Sequence, residues 1–271
     1  MKKILIPYDF SENSEKTLNY GVSLAGEIGA DIVLFNVTPY PIVTPEIGLP
    51  AFSYVDVMDD SLKELRKLAD RLKKEIPSIK NVECFSEMGD ITESIAEYCK
   101  VNPVEFIVMG IYRHGTKLMK ALIASNAVET SHKTKCTVIV VPPNISYKRP
   151  TIIAFASDEN ISAKDPSLEK AKIISELFKA ELQILHIVPE GHHFTESEVD
   201  STNSKEKPPH KLFIVTDKKI SESLLGMLDN KLIDMIVIEP KEHSLFYKFF
   251  HESVSKELAF SSPVPVVMIH S

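Results

Sequence analysis

The sequence predicts two tandem copies of a parallel α/β domain, on three observations. Short apolar runs alternate with helical segments along the whole chain. The runs are apolar on successive residues, as strands covered on both faces require. The order of elements then restarts after a Pro-rich link near residue 145, and a repeat of that length is a duplicated domain.

In the first copy, Ile4-Leu5-Ile6 is a buried-strand run. Ser11 stands in an N-cap position before a helix that places Leu18, Val22 and Ala25 at helical spacing, and Gly29 closes that helix. Asp31 to Val37 is the next strand, followed by a Pro-rich loop from Pro39 to Pro50. An amphipathic helix is expected from about Val55 to Ile76, with Leu62, Leu65, Leu68, Ala69 and Leu72 on one face. Val82 to Ser86 is the third strand, and Gly89-Asp90 leads into a helix through Ile91, Ile95 and Tyr98. Phe106 to Met109 is the fourth strand, ending at Gly110. A loop, a helix through Ala127 and Val128, and a fifth strand from Thr137 to Val141 complete the copy.

The second copy follows the same plan. Ile152 to Ala156 answers Ile4 to Pro7, and Asp158 falls where Asp9 fell. Leu182 to Val188, Leu212 to Thr216, Met235 to Ile238 and Val264 to Ile269 answer the other four strands. The copies occupy 1–144 and 150–271. Between its second and third strands the second copy has only Pro189 to His210, a polar stretch without helical periodicity. It reads as a surface loop where the first copy has a helix.

The 271 residues suit two ordinary domains, and 44% apolar with 25% charged residues is a globular composition. A formal charge of −7 argues against nucleic acid as the main partner, because phosphate binding needs a basic footprint. Cys84, Cys99 and Cys136 are odd in number and lack metal-ligand spacing, so they are expected to be reduced and mostly buried. The start, MKKILIPYDF, has too short an apolar run for a secretory leader, and no stretch approaches a membrane span. A cytoplasmic protein without membrane partners is expected.

The chain resembles the universal stress protein family over nearly its whole length. The resemblance rests on Ile4 through Ser11 (ILIPYDFS), on Met88-Gly89-Asp90, and on Val108-Met109-Gly110 with Ser125-Asn126 and Cys136 to Val141. It implies a tandem pair of Rossmann-like domains. Each would be a five-stranded parallel sheet of order 3-2-1-4-5 with helices on both faces, the second domain lacking most of one helix. It also implies that the two domains pair through their fifth strands, and it leaves a homodimer and an unknown protein partner open.

Ligands of open parallel sheets sit beyond the C-terminal strand ends where strand order reverses, here between strands one and four. In ATP-binding members the strand-four loop reads G-x2-G-x9-G-(S/T), and glycines bring backbone N–H groups to the phosphates. The resemblance therefore implies Asp9, Val37, Gly110, Arg113, Ser125 and Asn126 as contacts of ATP in the N-terminal domain. The pattern is only partly kept: Arg113 replaces the second glycine, and Ala124 stands near the third. Arg113, His114, Lys117 and Lys120 then hold phosphate as cations, or form a solvated basic loop left after nucleotide binding was lost. In the second copy the glycine positions become Glu239, Glu242 and Glu252, with Ser253 in the hydroxyl position; these carboxylates repel phosphate.

Two weaker features remain. His192, His193 and His210 lack metal-site spacing and read as solvated. Leu245, Phe246, Tyr247, Phe249 and Phe250 either fill the vacated pocket or form a partner surface. The function expected is a non-catalytic stress-response binding or interaction module. The alternatives are an adenine-nucleotide sensor acting through the N-terminal domain, and an enzyme of the wider adenine-nucleotide hydrolase-like superfamily. No base, nucleophile or metal constellation is legible for the last.

Overall fold

A computed structural model describes residues 2–40, 54–111, 126–143, 145–157, 165–188, 211–216, 232–240 and 262–270. The elements run β1 (Lys3–Pro7), α1 (Glu12–Ile28), β2 (Asp31–Thr38), α2 (Tyr54–Glu75), β3 (Val82–Met88), α3 (Ile91–Val101), β4 (Phe106–Gly110), α4 (described over 126–133) and β5 (Thr137–Val141). They continue with β6 (Ile152–Ser157), α5 (Pro166–Phe178), β7 (Glu181–Val188), β8 (Lys211–Thr216), β9 (Met235–Ile238) and β10 (Val266–Met268).

The strands form one ten-stranded sheet of order β3-β2-β1-β4-β5-β10-β9-β6-β7-β8. The run β1–β5 has the order 3-2-1-4-5, and β6–β10 repeats it from the other end. Within each run all pairs are parallel. The runs meet where β5 and β10 pair antiparallel, with Ile139 opposite Val267. The halves do not have separate sheets: the ladder is continuous. Two unpaired edges of Val and Ile would leave a row of backbone donors and acceptors open, and joining them satisfies both.

Local chemistry sets the element ends. Ser11, extended at φ −79° and ψ 159°, accepts the Ser14 N–H at 3.1 Å and caps α1. Gly29 adopts the left-handed conformation at φ 68°, which turns the chain into β2. In the second half Lys179 takes the corresponding cap at φ 54°, where a Cβ costs roughly 1–2 kcal/mol. Asp90 caps α3 by accepting from the N–H groups of Thr92 at 2.9 Å and Glu93 at 3.1 Å. β10 is shorter than the expected Val264 to Ile269, because Pro263 and Pro265 have no N–H to give the ladder.

One face of the sheet is covered by α1, α2 and α5, whose Leu18, Leu24, Leu65, Leu72, Ile174 and Phe178 are buried on it. The opposite face is covered by α3 and α4 through Ile95, Tyr98, Ala127 and Val128. The central strands are buried on both faces. β3 is not: it is an edge strand carrying Glu83, Ser86 and Glu87 in half-buried or exposed places. Of the three cysteines only Cys136 is buried, while Cys84 and Cys99 are half-buried, and all are free thiols. Among the described residues no helix is long and apolar enough to cross a membrane.

The chain between the halves is fastened to both. The Tyr147 hydroxyl donates to Glu27 at the end of α1 (2.6 Å), and its ring packs edge-on against Tyr20 at 5.2 Å. Arg149 pairs with the same Glu27 at 3.1 Å and donates to the Phe178 carbonyl at the end of α5 (2.9 Å). The stretch 189–210, with its three histidines, lies outside the described residues.

Candidate functional site

The C-terminal ends of β1 and β4 open a cleft of about 150 Å3 at the reversal of strand order. It brings together Asp9, Val37, Gly110 and Asn126, four of the six residues singled out in the sequence. Arg113 and Ser125 lie outside the described residues, as do His114, Lys117, Lys120 and Ala124.

The cleft is built by main-chain pinning of strand ends. Tyr8 N–H donates to the Phe35 carbonyl at 2.9 Å, and the buried Asn36 amide donates to the Tyr8 carbonyl at 2.8 Å. Asp9 follows at once and accepts the Ser11 N–H at 3.1 Å, which holds its carboxylate at the cleft mouth. The turn is tight enough to force Phe10 into the left-handed region at φ 62°, an uncommon conformation for a bulky residue. Phe10 stays 44% exposed beside the cleft, its ring edge-on to Tyr8 at 5.2 Å.

Two groups of lining residues escaped the sequence reading. Asn13 and Thr17, four apart on α1, face Gly110. A Cβ on Gly110 would fall on the Thr17 hydroxyl and within 3.0 Å of the Asn13 amide nitrogen, so glycine is required there by close approach. Polar residues at i and i+4 on an otherwise apolar helix face were the available signal. Tyr8 also lines the cleft, and its hydroxyl donates to Glu15 at 2.6 Å, which is paired with Arg71 at 2.8 Å. Burial first, and then the Glu15 hydrogen bond and charge, push the Tyr8 phenol well up, so it remains a proton donor.

The two helix N-termini beside the cleft are already occupied. Ser11 takes the Ser14 amide of α1, and Asp90 takes the Thr92 and Glu93 amides of α3. The Thr92 hydroxyl (2.6 Å) and then the Glu93 amide hold the Asp90 carboxyl below the usual range. Residues 112–125, which follow β4, lie outside the described residues. The described volume is below the roughly 300–1,000 Å3 that nucleotide-sized ligands occupy.

The second half carries a different residue at the equivalent place. β1 sets Ile4 beside Phe106, and β6 sets Ile153 beside Met235, so Glu239 stands where Gly110 stands. The two left-handed helix caps likewise put Ser167 at the place of Thr17. The Ser167 hydroxyl donates to the Glu239 carboxylate. At the place of Gly110 the second half thus carries a side chain hydrogen-bonded to α5. Asp158, Glu242, Glu252, Ser253 and the aromatic cluster from Leu245 to Phe250 lie outside the described residues. Among the described residues no group of three or more His, Cys, Asp or Glu is arranged to hold a metal.

The crystal structure of a universal stress protein from Archaeoglobus fulgidus has the same fold. It superposes with a TM-score of 0.69 at 21% identity, covering 98% of this chain and 95% of that one. A functionally unknown protein from Pseudomonas aeruginosa superposes at 0.57 with 14% identity, over 99% of this chain and 92% of its own. A curated universal stress protein of Methanocaldococcus jannaschii is 30% identical over 142 residues, 52% of this chain and 81% of that protein. The model of the universal stress protein family matches residues 1–142. With that match and that relative, this chain belongs to the universal stress protein family.

Proposed function

We propose that the protein is a non-catalytic binding module, made of two tandem domains (1–144 and 150–271), with one ligand cleft in the N-terminal domain. The observation that carries this reading is the contrast between the halves. The cleft of the first half lies beside Gly110, Asn13 and Thr17, while the second half sets Glu239, hydrogen-bonded to Ser167, at the place of Gly110. The polar part of the lining around Asp9 is hydroxyls, amides and one carboxylate, which orient a ligand by hydrogen bonds, and Phe35, Val37, Ile91 and Met109 supply an apolar surface beside them. Incubating the purified protein with magnesium and nucleotides, and following phosphate release, tests the non-catalytic role. Repeated turnover that survives re-purification and is lost on Asp9→Ala would overturn it.

A second reading is favoured by one specific arrangement. Asp9, Val37, Gly110 and Asn126, which the family resemblance implies as nucleotide contacts, share the cleft. In this reading Asp9 accepts from the sugar hydroxyls and the chain after Gly110 receives the phosphates. Calorimetry with ATP and magnesium at moderate salt distinguishes the two. Saturable binding near one per chain that Asp9→Ala abolishes makes the module a nucleotide sensor. No heat at millimolar ATP directs attention to protein partners.

A further inference from the structure

A second cavity, of about 480 Å3, lies at the opposite end of the strands from the cleft. Its floor is the start of β4 and β5, with Val104, Phe106 and Thr137, and its wall is α5, with Ile173, Ile174 and Leu177. It thus joins the two halves across the sheet, and its size is that of small-molecule sites.

The near-twofold arrangement of the sheet gives this cavity a counterpart beside α1. That counterpart is filled. Tyr147 of the connecting chain packs there, with its ring on Tyr20 and its hydroxyl on Glu27. Aligning the left-handed caps Gly29 and Lys179 puts Lys170 at the place of Tyr20 and Leu177 at that of Glu27. The fold therefore builds one socket for an apolar body twice, and the chain's own link occupies the first. The second is lined by no such segment among the described residues, and Ile173 on its wall is 60% exposed.

The chemistry of the second socket has changed sign. The acceptor Glu27 is replaced by Leu177, and Lys2, Lys135 and Lys170 stand around the cavity. Lys170 donates to the His270 carbonyl, whereas Lys2 and Lys135 are in no ion pair among the described residues. Glu105 and Glu176 also line it, so three lysines against two glutamates leave one net positive charge, in a chain of net −7. A single positive charge over an apolar wall matches a singly charged amphipathic anion. The two carboxylates disfavour a multiply charged head such as phosphate.

We propose that this cavity binds a medium-chain aliphatic carboxylate, with its tail against Ile173, Ile174 and Leu177 and its head at Lys2 and Lys135. The site is separate from the Asp9 cleft and does not depend on what that cleft holds. The test uses the full chain with methyl-labelled isoleucine and leucine, titrated with decanoate, decanol and inorganic phosphate below the micelle range. Decanoate should saturate at one per chain and shift the methyl signals of Ile173, Ile174 and Leu177, with decanol and phosphate far weaker. Lys135→Glu, at an exposed position, should leave thermal unfolding as in the parent and weaken decanoate by about tenfold or more. Lys16→Glu on α1, remote from the cavity, should leave it unchanged. Shifts confined to other methyl groups, decanol binding as well as decanoate, or an unaltered affinity in Lys135→Glu would each overturn the proposal.

Discussion

The Ser167 hydroxyl donates to the Glu239 carboxylate at the place where the first half sets Thr17 against the bare Gly110. One fold position thus carries opposite solutions in the two halves. A glycine lets helix and strand approach closely, and a half-buried glutamate at the same place is met by a hydroxyl donor.

Gly110→Ala should destabilise the protein by about 1–3 kcal/mol, since the added methyl overlaps the Thr17 hydroxyl in a packed contact. Its backbone is not in the left-handed region, so the cost is steric. Gly110→Ala combined with Thr17→Ala should recover most of the loss. Urea unfolding of the four proteins in this cycle checks it, and strictly additive losses would rule out the contact as the cause.

Ser167→Ala should cost about 1–3 kcal/mol by removing a donor from the half-buried Glu239. Glu239→Gln keeps an acceptor for the hydroxyl and should cost less. Denaturant midpoints at neutral pH separate the two. Equal losses would mean that shape rather than the hydrogen bond matters here.

The Asp90 cap predicts an acid-sensitive contribution. Its carboxyl is held below the unfolded value of about 3.9 by the Thr92 hydroxyl and the Glu93 amide. A depressed folded value means the charged cap stabilises fully above the unfolded value and loses that contribution as pH falls through the folded one. Asp90→Ala should therefore cost about 1 kcal/mol near neutrality, less in acid, and Asp90→Asn should keep most of the cap without that pH dependence. Unfolding curves from pH 2 to 7 show whether the difference narrows.

The link between the halves should govern cooperativity. Glu27 receives both Tyr147 and Arg149, and Arg149 also holds the end of α5. Tyr147→Phe should cost about 1 kcal/mol. Arg149→Met, which frees α5 from α1, should broaden urea unfolding and lower its slope as the halves begin to melt apart. A single sharp transition of unchanged slope in Arg149→Met would place the coupling wholly in the β5–β10 ladder.

Much of the fold was legible because it depends on local pattern. Ser11 as a cap, Gly29 as a stop and the apolar runs of all ten strands follow from spacing and side-chain type, whereas the Asp90 cap came from the structure. The boundary of β10 was overextended, because apolar residues at Val264 and Ile269 look like strand, while Pro263 and Pro265 restrict pairing. In the site, Asp9, Val37, Gly110 and Asn126 were readable through the family's order of motifs. Tyr8, Asn13 and Thr17 were not, since their role comes from facing another element.

The sequence by itself determined the alternation of strands and helices, its repetition after residue 145, and the loss of glycine at Glu239. Those are properties of periodicity and residue type, which act over a few neighbours. The tertiary structure decided that β5 and β10 close one sheet, that Thr17 meets Gly110, and that Tyr147 fills one socket while the Lys135 socket remains separate. These depend on residues far apart in the chain meeting in space, and a contact of that kind leaves no local period to read.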